Sequence, residues 1–373
     1  MSEWQNEDMD FDDPREEEEI EIDEIPKGER RLRTQAYDKS IFDIVEMINR
    51  GDICLDPDYQ RNYIWDDRRA SLLVESILLN VPIPVIYVAE DEENRWEVVD
   101  GLQRLNSLHR FFQNEFKLQK LEVLDELIGV KYKDLNPKAA RILRNGILRI
   151  IMIFKESHSD IKYEIFMRLN QGAVSLSEQE LRNCLYRGPF NDMLHELRSN
   201  KDVLTMLGLP QAHKRMADAE LLLRHLTIKN GYNRETGGIS TYTGNMRSSL
   251  NRYMESAKKT VASELNMVKD EFLRSTYNVL GVFGNNAFHR IDETGNFDGR
   301  LNRAIMDAIL VAFGYFDNDD LVSRKDDIKE MLRVLINEDV EFLDAITVRT
   351  SQKGKMEYRV HTFTCQLAKI IGG

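Results

Sequence analysis

The sequence predicts an α+β fold, in which a small mixed sheet is followed by an all-helical region. Two short runs, 85–89 and 96–99, are rich in β-branched and aromatic residues and flank the acidic turn 90–94, a pattern typical of paired strands. The apolar run 147–154 is the last predicted strand. From Ser159 onward the pattern is helical. We therefore predict three parts: a tail over 1–30, a sheet-containing domain over 31–156 and a helical domain over 157–373.

The first domain is predicted to begin with a helix over 41–49, which the Ser40 hydroxyl can cap and Gly51 can end. An extended segment follows at 53–55. The next helix is predicted from residue 66 or 67 to about residue 79, with an aspartate as its cap. The segment 81–84 must then be extended, because each of its two prolines restricts the residue before it.

The strand 96–99 is predicted to lead through the turn Asp100-Gly101 into another helix. Leu105, Leu108 and Phe112 lie on one face of that helix, at spacings of three and four residues. The turn therefore stands at the carboxyl end of a strand, where ligands often bind in α/β architectures.

The helical region contains a capping box, in which Ser177 caps a helix and Glu180 reaches back to it. The segment 232–243 is rich in turn residues. The other helices are predicted over 160–169, 190–199, 217–229, 246–256, 261–280, 301–316, 319–337 and 358–371.

The net charge of −13 is concentrated at the start of the chain. Residues 1–25 hold thirteen acidic residues and one basic residue, Arg15, which gives −12 and leaves about −1 for the remainder. Such a segment is too charged to build a core. It can be a solvated leader, or it can mimic nucleic acid and shield a basic groove, since Lys27, Arg30, Arg31 and Arg33 follow directly.

Other classes of protein find little support in the composition. No apolar run approaches the roughly 18–20 residues of a membrane span. Three scattered cysteines predict neither a disulfide framework nor a zinc site, and they fit a reducing cytoplasm. The seven histidines are not spaced as metal ligands, and no P-loop motif is present.

The segment 96–112 carries the strongest functional signal. Gly101 permits a tight turn, and the backbone N–H groups at the start of the following helix form an anion site. Arg104 can add a forked guanidinium for phosphate. Asp100 is placed to hold a metal, orient a water or accept a sugar hydroxyl. Spacing alone fits an ordinary strand–turn–helix with a surface arginine equally well.

The motif Asp-Gly-Leu-Gln-Arg at 100–104 resembles the Asp-Gly-Gln-Gln-Arg motif of the GmrSD-type restriction endonuclease N-terminal domain family. Two further segments, 59–65 and 166–172, resemble family segments, and the second is followed by a matching run at 176–183. The three segments occur in the family's order, and the resemblance extends from about residue 33 to about residue 197. Leu102 stands where the family usually has glutamine.

The resemblance implies a ParB/sulfiredoxin-like fold that binds a nucleoside triphosphate. It implies binding roles for five residues: Gln60, Arg61, Gly101, Arg104 and Asn170. Catalysis would then be phosphoryl transfer to water, with Arg104 stabilising phosphate charge and Gln103 or Asp100 orienting the water. A divalent ion such as Mg²⁺ would be held by Asp100.

The resemblance also implies a setting, a prokaryotic or phage-related DNA defence system in which nucleotide state controls a nuclease. Fused relatives often carry a C-terminal His–Asn nuclease module. No suitably spaced ligands follow a histidine here, His289 included, so we expect a regulator without its own nuclease. DNA and a nuclease or other defence protein are the expected partners, a membrane is not, and a homo-oligomer stays open.

The alternative is a non-enzymatic DNA-binding or adaptor protein that uses the same fold as a scaffold. Its phosphate site would hold the DNA backbone, and the helical region would contact the groove or a partner. The apolar Leu102 beside the turn favours this alternative slightly.

Overall fold

The computed structural model describes residues 32–55, 65–91, 93–157, 159–169 and 177–372. Over these ranges the fold is α+β, with a small mixed sheet in the N-terminal part and helices after it, which confirms the predicted fold class. The described chain divides into two compact units between residues 185 and 186. The helices over 159–185 thus group with the sheet, whereas the sequence pattern places them with the helical domain.

The sheet of the first unit has five strands in the order β1-β5-β3-β4-β2. β1 pairs antiparallel with β5, and β3 pairs antiparallel with β4, whereas β3–β5 and β2–β4 are parallel. The strands, in chain order, are Thr34–Ser40, Ile53–Cys54, Ile86–Glu90, Trp96–Asp100 and Ile147–Ile153. The sequence pattern predicts all of them except β1.

Four helices pack against one face of this sheet. Alternate strand residues such as Ile86, Val88 and Ile150 point to that face and are buried in its core. Ala89 and Ile153 lie in a second core with residues of two further helices. The helices of the unit are α1 Ile41–Arg50, α2 Asp67–Leu78, α3 Leu102–Phe112, α4 Pro137–Asn145, α5 Ser159–Leu169 and α6 Glu178–Leu185.

The predicted caps are present. Ser40 Oγ accepts from Asp43 N at 3.0 Å at the start of α1, and Gly51 ends that helix with φ +80°. Ser177 Oγ accepts from Glu180 N at 3.1 Å, and Glu180 Oε2 accepts from Ser177 N at 2.5 Å, which completes the capping box of α6.

The second unit is helical. Its core contains a buried ion cluster in which Asp307 accepts from Arg224 at 2.8 Å and from Arg359 at 2.6 Å. Burial raises the pKa of Asp307, but the two guanidinium groups more than reverse this and hold it below its usual range. The helices are α7 Pro189–Arg198, α8 Lys201–Met206, α9 Ala217–Gly231, α10 Met246–Ala257, α11 Ala262–Phe283, α12 Arg303–Phe313, α13 Asn318–Ser323, α14 Lys325–Asn337, α15 Val340–Thr347 and α16 Lys353–Gly372.

Three details of the helical prediction are wrong. The predicted single helix 319–337 is broken at Arg324, where φ −112° and ψ 18° leave the helical region. The short helices α8 and α15 are not predicted by the sequence pattern.

Within the part of the chain that the structure describes, no helix is long and apolar enough to cross a membrane.

Candidate functional site

The turn between β4 and α3 requires a glycine. Asp100 ends β4 opposite Tyr87 of β3, where the register of the pair shifts. Gly101 follows with φ +97°, a conformation that other residues rarely adopt. A Cβ there would lie 2.9 Å from Ile86 Cγ1 and 3.2 Å from Arg104 Nη2. A side chain at this position would therefore collide with the strand and displace the arginine.

The residue at the capping position of α3 is a glycine, which has no side chain to cap the helix. Gly101 occupies the capping position, and its carbonyl accepts from Leu105 N at 2.9 Å. Gly101 has no side chain that could satisfy the first turn, so the N–H groups there and the positive end of the helix dipole can act on an anion. Leu102 packs against the hydrophobic core of the unit, which accounts for an apolar residue there.

Arg104 is fixed in place by the protein. Its Nη2 donates to Asp100 Oδ2 at 2.9 Å and to Val85 O at 3.3 Å, and its Nη1 donates to Pro84 O. The Arg104 side chain is 12% exposed, whereas that of Asp100 is 49% exposed. Burial lowers the pKa of Arg104, and the nearby Asp100 carboxylate opposes this effect. The guanidinium remains charged, and two of its five N–H donors are left for a ligand.

Gln103 links the site to the segment before α2. Its Oε1 accepts from Trp65 N at 3.3 Å. Of the predicted site residues, the structure brings Asp100, Gly101, Gln103 and Arg104 together at one turn. The others, Gln60, Arg61 and Asn170, lie outside the described residues.

Asp100 offers one carboxylate for a metal. Among the described residues there is no group of three or more His, Cys, Asp or Glu side chains that could hold an ion. A single half-exposed carboxylate nevertheless suits Mg²⁺, which commonly binds through one or two carboxylates together with substrate phosphates. The Asp100 carboxylate forms an ion pair with Arg104, which a phosphate group would also contact.

Part of the site could not be predicted from the pattern of side chains in the sequence. The carbonyl groups of Pro84 and Val85 orient the guanidinium of Arg104, and Ile86 sets the limit on the size of residue 101. The one signal in the sequence is the predicted extended conformation at 81–84, which leaves its carbonyl groups without helical partners.

Comparison with known proteins gives a family match in the first unit. Residues 41–187 match the family described as GmrSD restriction endonuclease, N-terminal domain. This match confirms the resemblance to that family seen in the motifs. The match ends two residues beyond the first compact unit. No curated protein and no solved structure matched the chain. The ParB/sulfiredoxin-like topology stays a prediction.

Proposed function

We propose that the first unit binds a nucleoside triphosphate at the turn between β4 and α3, and that the chain acts as a nucleotide-responsive regulator in a DNA restriction or defence system. The observation that carries the proposal is the N-terminus of α3, which begins at a glycine beside an exposed carboxylate and a fixed guanidinium. The family name supports the setting.

Each group at the turn has a separate part in binding. The phosphates would accept from the first N–H groups of α3 and from the two N–H donors that Arg104 retains. The half-exposed carboxylate of Asp100 would hold Mg²⁺ or accept a ribose hydroxyl. Gly101 allows the phosphates to approach the backbone closely.

Hydrolysis would require a group that orients water for attack on the terminal phosphate. Asp100 is better placed for this than Gln103, because Oε1 of Gln103 already accepts from Trp65 N. Arg104 would stabilise the charge that develops on the phosphate oxygens. We expect Asp100→Ala to lower turnover more than it weakens nucleotide binding, as measured by phosphate release and by equilibrium titration.

Thermal unfolding tests the proposal even though the base of the nucleotide is not specified. The protein is heated with ATP, GTP, CTP or UTP, each with and without Mg²⁺. A nucleotide at about 100 times its Kd should stabilise the folded unit by about 2.7 kcal/mol through mass action. One nucleotide should raise the unfolding temperature more than the others. If none does, the turn is not a nucleotide site.

The alternative, a DNA-binding or adaptor protein, is favoured by a different observation. Arg104 is already bonded to three protein acceptors, and Leu102 packs into the core. The turn therefore offers few free side-chain groups for hydrolysis, but it can still bind a phosphate of the DNA backbone. DNA binding should weaken steeply as salt rises, because counterions are released. Nucleotide binding should instead depend on Mg²⁺ and on the identity of the base.

A further inference from the structure

A cluster of basic side chains lies in the second unit. Lys229 near the end of α9, Arg234 just after it, and Arg274 on α11 surround the segment that follows α12. Lys229 Nζ lies 3.2 Å from the centroid of the Tyr315 ring, and Arg234 Cζ lies 5.5 Å from the same centroid. Arg274 Nη2 donates to Gly314 O at 3.0 Å. Two cations thus lie over one aromatic ring, and a third contacts the backbone next to it.

The cluster has more positive than negative charge. None of its three cations forms an ion pair with any residue in the described ranges. Glu271 on α11 is the carboxylate whose charge acts on Lys229, and it too has no ion-pair partner among those residues. The charges that act on Lys229 are thus those of two cations, Arg274 and Arg234, and of one acid, Glu271.

The ammonium group of Lys229 lies in a partly buried position beside other cations, which disfavours its charged form. Its side chain is half-buried, and Gly314 makes room for it, since a Cβ at residue 314 would lie 3.3 Å from Lys229 Nζ. Burial lowers the pKa of Lys229 to about 8; Arg274 and Arg234 lower it as well, while Glu271 raises it. A partly desolvated ammonium beside like charges is stabilised when an anion binds.

Arg234 has the geometry that an anion needs. Its guanidinium lies over Tyr315 and 5.2 Å from the Phe316 ring centroid, and it makes no hydrogen bond with a described residue. The planar fork can therefore donate to two oxygens of one phosphate. The neighbouring rings hold the cation through their π faces and keep water from one side of it.

From this arrangement we infer that Lys229, Arg234 and Arg274 form a phosphate-binding site in the second unit, separate from the turn between β4 and α3. The ligand is a phosphate group, which can come from a small phosphate compound or from the backbone of nucleic acid. Arg234 and Lys229 contact the oxygens, and Arg274 adds charge from the side of α11.

The test measures binding of two probes to the full chain, inorganic pyrophosphate by calorimetry and a fluorescent duplex oligonucleotide by anisotropy. The variants are Arg234→Gln and Lys229→Gln. The matched control is Lys259→Gln, which removes one positive charge from an exposed side chain of the same unit. All are also made in an Arg104→Ala background, so that phosphate bound at the other site does not contribute.

We expect Arg234→Gln and Lys229→Gln to weaken binding by about tenfold, the effect of losing a charged hydrogen bond. Lys259→Gln should bind like the parent. A loss with pyrophosphate alone assigns a small phosphate compound, and a loss with the duplex assigns a nucleic-acid backbone. If neither probe separates the two variants from Lys259→Gln, the site does not exist. Arg234 is exposed, so its variant keeps the test valid if Lys229→Gln fails to fold.

Discussion

The orientation of the Arg104 side chain depends on groups from another segment of the chain. Its spacing from Gly101 predicts a guanidinium at a helix start, and the structure places it there. What spacing could not predict is that Pro84 O and Val85 O fix its orientation, because backbone carbonyls from another segment carry no signal in the side-chain pattern. The arginine is consequently preorganised, and part of its donor capacity is already used.

His225 should make the second unit sensitive to acid. It is buried beside Phe272, and its Nδ1 has no hydrogen-bond partner among the described residues. Burial, aided by Lys229, lowers the pKa of His225 to about 3. The unfolded chain, with a pKa of about 6.5, therefore binds a proton that the folded chain does not, so stability falls as pH drops below about 6.5.

Replacement of this histidine should remove that dependence. Between pH 6.5 and pH 5 the parent should lose about 1.6 kcal/mol of unfolding free energy more than His225→Leu, because the slope increases from about 0.7 kcal/mol per pH unit at pH 6.5 towards about 1.4. Urea unfolding followed by far-ultraviolet circular dichroism at the two pH values measures the difference. Equal losses in both proteins would show that the pKa of His225 is not lowered in the folded state.

At the scale of elements, the hydrophobic pattern predicts the strands and helices whose own residues show the apolar periodicity. The strands β3, β4 and β5 have buried, β-branched sequences and are predicted correctly. β1 is largely polar and exposed, and it is a strand because it pairs along its whole length with β5, which is information that its own residues lack. α4 does carry a signal, the Asn136 cap followed by Pro137, although it is absent from the predicted elements.

Glu75 on α2 should be essential to the irregular segment that follows α3. Its buried carboxylate accepts from the N–H groups of Glu122, Val123 and Leu124 at 2.8–3.1 Å. Burial raises the pKa of Glu75, but these three donors more than reverse the effect. Glu75→Ala should lower the unfolding free energy by about 3 kcal/mol, since it leaves buried donors unsatisfied.

The control for this loss lies on α1. Glu46→Ala removes a partly exposed glutamate that accepts only from Asn49 within the described chain, and it should change stability by less than about 0.5 kcal/mol. Chemical denaturation of both variants gives the comparison. A loss in Glu75→Ala no greater than that in Glu46→Ala would mean that the segment does not depend on this carboxylate.

At the scale of the whole molecule, the chain combines a unit that matches a restriction endonuclease family with a helical unit. The order of a sheet region before a helical region follows from sequence pattern alone. The grouping of α5 and α6 with the sheet does not, because helical periodicity reports that a helix buries one face and not which core it covers. Tyr163, Phe166 and Leu181 bury that face against Ala89 and Ile153 of the sheet.

The central claim is that the turn at Asp100–Arg104 binds a nucleotide, and calorimetric titration of Arg104→Ala tests it most directly. The titrant is the nucleotide that stabilises the parent most, with Mg²⁺ present. The control is Arg110→Ala, on the same helix, which removes an arginine paired with Asp67 and Glu115.

Arg104→Ala should weaken binding by at least about 30-fold, since truncation of one partner in a desolvated charge contact costs roughly 2–5 kcal/mol. Arg110→Ala should bind like the parent, and circular dichroism should show both variants folded. Nucleotide binding by Arg104→Ala as tight as that of the parent and of Arg110→Ala would contradict the claim and place the pocket elsewhere.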